Sequence, residues 1–148
     1  MKRIFPFIGA AAVAGIKRLY AIPMVGIAMA MYLAYYVVGV GYMMDAVAFS
    51  PSFSGVEVPI TIGNCLVLIA CGALTLEMGK AADAAAGGLA DMILSIILCV
   101  ISWLCLFNLS GFASATWLIL TALQTADAIG NSIVAVKASR RDYGVPIG

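Results

Sequence analysis

The stretch 112–137, FASATWLILTALQTADAIGNSIVAVK, is long and apolar enough to cross a lipid bilayer, yet it carries an acidic residue inside it. About twenty helical residues, at about 1.5 Å each, span a hydrocarbon core of roughly 30 Å. Asp127 is therefore expected at membrane depth, where an ionised carboxylate is costly unless protein or water surrounds it. This stretch predicts a helix of a bundle, with one side turned to protein and the other to lipid.

The polar residues of this stretch gather on one side of the helix when they are projected at about 100° per residue. That side comprises Thr121, Gln124, Thr125, Asp127, Asn131 and Ser132, opposite Ile119, Leu123, Ile129 and Ile133. A functional interpretation is an ion or proton site, in which Asp127 binds or relays charge and Gln124, Asn131 and Thr121 supply neutral ligands. The structural interpretation, which we favour, is that Asp127 hydrogen-bonds within the bundle and joins helices or subunits.

The composition excludes an ordinary soluble domain. Hydrophobic residues make up 64% of the 148 and charged residues 10%, with a mean hydropathy of +1.11. Soluble domains are about one quarter charged. The length leaves room for four crossings, so we predict an all-α membrane protein with an antiparallel bundle of four transmembrane helices. The expected crossings are residues 19–44, 60–78, 89–108 and 113–136.

The basic residues predict the direction of the four crossings. Four of the eight Lys and Arg lie in residues 1–18, one lies between the second and third crossings, and three lie from Lys137 onward; none lies in 45–59 or 109–113. The positive-inside rule then places both termini in the cytoplasm, in a cell membrane such as the bacterial inner membrane. Residues 1–18 are expected to form a short interfacial helix, 45–59 an exposed loop, and 138–148 a basic cytoplasmic tail that frays.

Two further acidic residues fall at the expected inner ends of the crossings. Glu77 is followed by Lys80 at i+3, which favours an ion pair at head-group level. Asp91 lies in the first turn of the third crossing, where the helix dipole favours a carboxylate. Both residues are also candidates for a polar network with Asp127, since the predicted topology places all three in the same half of the membrane.

Small residues recur every seven positions along the second crossing, at Cys65, Gly72 and Gly79. Such a stripe lets another helix approach closely, so these residues are candidate helix-packing positions. The two tryptophans, Trp103 and Trp117, flank the 109–113 connection, which favours an aromatic belt at the outer membrane surface.

The residues needed for catalysis are missing from the sequence. The chain has no histidine, and its four cysteines lack C-x-x-C spacing. No nucleophile with a base, phosphate-binding loop or metal-ligand spacing occurs, so we expect no enzymatic activity, no cofactor and no metal. Outside the short basic clusters at the two termini, no basic patch with interleaved aromatic residues occurs, which argues against binding of nucleic acid.

The functional hypothesis is a non-catalytic subunit of a homo-oligomer or of a larger membrane complex. Its expected partners are the lipid bilayer and other membrane subunits, which include copies of this chain. One alternative is a small ion or proton-coupled transporter or channel that uses Asp127. Another is a phage-type holin, because holins are also small, helical and basic at the tail.

Overall fold

A computed structural model describes residues 23–83 and 88–142, with side chains for 23–78 and 89–137. The described part of the chain forms four α-helices, which pack against one another as a bundle. They are α1 (Met24–Val37), α2 (Ile62–Asp83), α3 (Gly88–Asn108) and α4 (Ala115–Asp142). The expected interfacial helix at 1–18 lies outside the described residues. The predicted helical fold is confirmed at this level, with different helix bounds.

Two of the four helices are long and apolar enough to cross a membrane. These spans are Leu89–Asn108 and Ala115–Lys137, whereas the apolar parts of the first two helices are shorter, at Met24–Val37 and Ile62–Met78. Large apolar side chains are exposed along the outer faces of all four helices. Helix α4 continues to Asp142, so it includes the start of the predicted tail.

Helix α1 ends seven residues before the predicted boundary at residue 44. Gly39 adopts a φ of +80°, the left-handed conformation that glycine reaches at little cost. Its N–H donates to Tyr36 O (3.1 Å), and Val40 N donates to Tyr35 O (3.1 Å). This pair of bonds is a Schellman motif, which satisfies the last helical carbonyls. The prediction was wrong here because the apolar run continues past the glycine that stops the helix.

The predicted exposed loop at 45–59 folds into two short antiparallel ladders. Strand β1 (Val47–Phe49) pairs with β4 (Ile60–Thr61), and β2 (Ser52–Phe53) pairs with β3 (Val56–Glu57). Ser54 (φ 52°) and Gly55 (φ 82°) close the inner ladder, as a two-residue hairpin turn requires. Residues 41–61 and the 109–114 connection mark one end of the bundle, called the hairpin end below.

The interior of the bundle changes character along its length. Toward the hairpin end it is apolar and aromatic, with Tyr32, Phe112 and Trp117 in mutual ring contact at centroid distances of 4.6 to 5.9 Å. Toward the opposite end it is polar, since Glu77, Asp91 and Asp127 are each 8% exposed or less. Aromatic side chains therefore fill the interior at the hairpin end, and polar side chains lie in the interior toward the opposite end.

Candidate functional site

The Asp127 carboxylate is the centre of a buried hydrogen-bond network between α3 and α4. Its Oδ2 accepts from Ser95 Oγ (2.8 Å) and Gln124 Nε2 (3.2 Å), and its Oδ1 accepts from Asn131 Nδ2 (3.3 Å). Asp127 is 3% exposed, Gln124 and Ser95 are 0% exposed, and Asn131 is 7% exposed. We call these four residues the Asp127 network. It joins α3 to α4 of one chain and contains two of the three residues predicted around Asp127, since Thr121 is not part of it.

Helical spacing explains why these side chains meet. Gln124 and Asn131 lie three residues before and four residues after Asp127, so all three share one face of α4. Ser95 comes from α3, and its hydroxyl also accepts from Asn131 Nδ2 (3.0 Å). The network therefore holds α3 against α4 with donors from both helices.

A seven-residue repeat fixes the register between α3 and α4. Trp117 Nε1 donates to Ser102 O (3.1 Å), and Gln124 Nε2 donates to Ser95 O (3.3 Å). Two side-chain donors one heptad apart on α4 thus reach two backbone carbonyls one heptad apart on the antiparallel α3. Trp117 is 4% exposed, so it lies in the core and not in an aromatic belt.

The second tryptophan also bonds within the α3–α4 pair. Trp103 Nε1 donates to Thr125 Oγ1 (3.1 Å), and Cys99 Sγ lies 3.4 Å from the same oxygen. The Thr125 hydroxyl in turn donates to Thr121 O (2.8 Å). The predicted polar side of α4 is therefore divided, with Thr125 and Ser132 on the edge of the interface and Asp127 inside it.

An apolar groove of about 280 Å³ runs along the outer surface between α3 and α4. It is lined by Ile96, Cys99, Val100, Thr125, Ala128, Ile129, Ser132 and Ile133. The Ser132 hydroxyl donates to Ala128 O (2.7 Å), so it is bonded within its own helix. The groove therefore offers an apolar surface, and the polar groups of the Asp127 network face the other way.

The side chain of Glu77 is buried inside the bundle. It is 1% exposed, and its Oε2 accepts from Met24 N (2.8 Å). The first N–H groups of a helix have no partner within that helix, and the helix dipole favours a negative charge there. Glu77 of α2 thus completes the first turn of α1. The Lys80 side chain lies outside the described part of the chain.

Asp91 occupies the first turn of α3, as predicted, and is 8% exposed. One turn later, Ser95 joins the Asp127 network, which places Asp91 beside the polar interior. Among the described residues, no group of three or more His, Cys, Asp or Glu side chains is placed to hold a metal ion. The three acidic side chains are therefore buried groups in the polar part of the bundle interior.

The predicted small-residue stripe on α2 faces outward at Gly72. Cys65 is half-buried and Gly72 is exposed, and a Cβ added at Gly72 would meet no described atom within 4 Å. The surroundings of Gly79 lie outside the described side chains. Within the described part of the chain, Gly72 brings no other helix close to α2.

Sequence reasoning missed Ser95 and Met24 as partners of the buried carboxylates. Ser95 stands four residues after Asp91 on the same helical face, which is a usable signal for an inward hydroxyl. The Met24 N–H carries no side-chain signal, so the bond to Glu77 is visible only in the fold.

No protein-family model matches the chain, and no curated protein or solved structure matches it either.

Proposed function

We propose that this chain is a multi-pass membrane protein that acts as a non-catalytic subunit of a homo-oligomer or of a larger membrane complex. The two long apolar helices α3 and α4 support membrane insertion. Helix α1, with 14 residues, covers about 21 Å. In this proposal α1 and α2 complete four crossings, and local thinning of the bilayer accommodates the shorter helices. The distribution of Lys and Arg favours cytoplasmic termini.

The observation that carries the subunit proposal is the outward position of Gly72. Its neighbours Leu68, Ile69 and Leu76 are between 50% and 66% exposed, so this face of α2 is apolar with a notch at the glycine. A glycine inside a helix costs about 1 kcal/mol relative to alanine. Close packing against a helix of another subunit would offset that cost, because glycine lets two backbones approach.

Cysteine cross-linking tests this face directly. Cys71 is exposed and adjacent to Gly72, whereas the other three cysteines are half-buried. We expect membranes that contain the protein to give a Cys71-linked dimer on mild oxidation, and Gly72→Leu to abolish it. Gly130→Leu is the matched control, since a Cβ at Gly130 also meets nothing within 4 Å but lies on α4. A dimer unaffected by Gly72→Leu, or a monomer in membranes, would contradict an interface at this face.

A second candidate, a small ion or proton-coupled transporter, is favoured by the Asp127 network. Three acidic side chains are buried in the same bundle. Asp127 lies about 15 Å from Lys137 along α4, near the expected centre of a bilayer. Reconstituted protein would then carry an ion or proton flux that Asp127→Asn abolishes. If wild-type vesicles show no flux and the Cys71 dimer forms, the results would favour the subunit role over the transporter.

A further inference from the structure

Two side-chain oxygens in the middle of α4 are buried without a hydrogen-bond partner among the described residues. They are Thr121 Oγ1 and Gln124 Oε1, and both residues are 0% exposed. Positions three apart are neighbours on one helical face, so both groups belong to the same side of α4. A buried polar group that lacks its partner lowers the stability of the folded state. A polar molecule that satisfied both oxygens would therefore stabilise the fold.

The orientation of the Gln124 amide determines whether such a molecule must donate or accept a hydrogen bond there. Its nitrogen donates to Asp127 Oδ2 (3.2 Å) and to Ser95 O (3.3 Å), so its oxygen, on the same amide carbon, points away from the carboxylate. That oxygen requires a donor. The Thr121 hydroxyl can donate or accept. Since the carboxylate is already surrounded by Ser95, Gln124 and Asn131, direct ligation of a cation by Asp127 and Gln124 Oε1 together is disfavoured.

We propose that Thr121 and Gln124 form a binding site for one internal water molecule, which donates to Gln124 Oε1 and accepts from the Thr121 hydroxyl. Buried waters typically make about three hydrogen bonds to groups that would otherwise be unsatisfied. The water extends the Asp127 network by one helical turn toward the hairpin end. A continuous row of polar groups then extends along α4 from Thr121 to Asn131, over about 15 Å. The site requires neither an oligomer nor ion flux, so it is independent of both proposed functions.

The direction in which one isosteric substitution changes the stability of the fold tests the site. Valine has nearly the shape of threonine, so Thr121→Val removes the hydroxyl with little change in packing. If the hydroxyl binds water, the folding equilibrium constant in detergent micelles falls by about three- to tenfold, because the water loses a partner. If the hydroxyl has no ligand, Thr121→Val leaves the stability of the fold unchanged or increases it. An unchanged or an increased stability would overturn the proposal.

A double-mutant cycle shows whether the two residues share the ligand. Gln124→Met costs less in the Thr121→Val background than in the wild type when one water joins both side chains. The control pair is Thr121→Val with Ser132→Ala, which lies about 16 Å further along α4 and is expected to be additive. Additivity of Thr121→Val and Gln124→Met would overturn the shared site.

The whole cycle is repeated in sodium chloride and in choline chloride, to distinguish a water molecule from a cation. If sodium alone stabilises the protein and Thr121→Val removes that stabilisation, the ligand is a cation and the water proposal is overturned.

Discussion

Ser95 and Ser102 are a matched pair that tests how much the Asp127 network stabilises the bundle. They lie one heptad apart on α3 and are 0% and 1% exposed. Ser95 Oγ donates to Asp127 Oδ2 and accepts from Asn131 Nδ2, so it makes two bonds to α4. Ser102 Oγ donates only to Cys99 O of its own helix (2.8 Å). Alanine at either position removes one buried hydroxyl, but only Ser95→Ala breaks hydrogen bonds between the two helices.

The expected difference follows from the bonds that each substitution breaks. Side-chain hydrogen bonds between membrane helices average about 0.6 kcal/mol, with a maximum of about 1.7 kcal/mol. The two bonds of Ser95 therefore predict a destabilisation of about 1 to 3 kcal/mol for Ser95→Ala. Asp127 and Asn131 are also left without one partner in a buried site, which favours the upper half of that range. We expect about 0.5 kcal/mol or less for Ser102→Ala, because the Cys99 carbonyl keeps its backbone bond.

Reversible unfolding in mixed detergent micelles measures both free energies. Circular dichroism follows the unfolding of the helices, and the midpoint and slope of a two-state transition together give the free energy of unfolding. A destabilisation by Ser95→Ala no larger than that by Ser102→Ala would refute the inference that the Asp127 network holds α3 against α4. A cycle with Asp127→Asn adds a second criterion, since residues in one network are expected to be non-additive.

Three further substitutions test other parts of the bundle by the same unfolding measurement. Trp117→Phe removes the bond to Ser102 O and part of the buried ring, so we expect a destabilisation of about 1–2 kcal/mol, and an unchanged midpoint would contradict the heptad register. Gly63→Ala is expected to destabilise by about 1–3 kcal/mol because its Cβ would collide with the Thr116 side chain. Gly72→Ala, on the same helix but with open space at the Cβ, is expected to stabilise the monomer by up to about 1 kcal/mol. Equal effects of the two alanines would show that propensity, and not the close approach of Thr116, governs both positions.

The helical fold was predictable because hydropathy over long stretches is a strong signal. The crossings predicted at 89–108 and 113–136 closely match α3 and the apolar part of α4. The end of α1 was mispredicted, because the helix stops at a single glycine with a positive φ although four further apolar or aromatic residues follow up to residue 44. The strands at 47–61 were missed, since short ladders closed by a serine–glycine turn leave little periodicity to detect.

The candidate site was predictable on one helix and not across helices. The spacing of Gln124, Asp127 and Asn131 placed them on one face, which the hydrogen bonds show. Whether that face met water, lipid or protein depended on the register of α3, which helical periodicity does not contain. The same limit applies to Glu77, whose carboxylate accepts from the backbone N–H of Met24 on α1, a partner that the sequence does not reveal.

The six residues 109–114 that join α3 to α4 have a consequence for how the chain assembles. A connection this short makes the pair the least costly long contact to form, because loop closure costs little entropy. The indole, amide and carboxylate of α4 then find their partners on α3 without help from the first half of the chain. In the proposed membrane setting, the α3–α4 pair can therefore enter the bilayer as one hairpin that already carries these three hydrogen bonds.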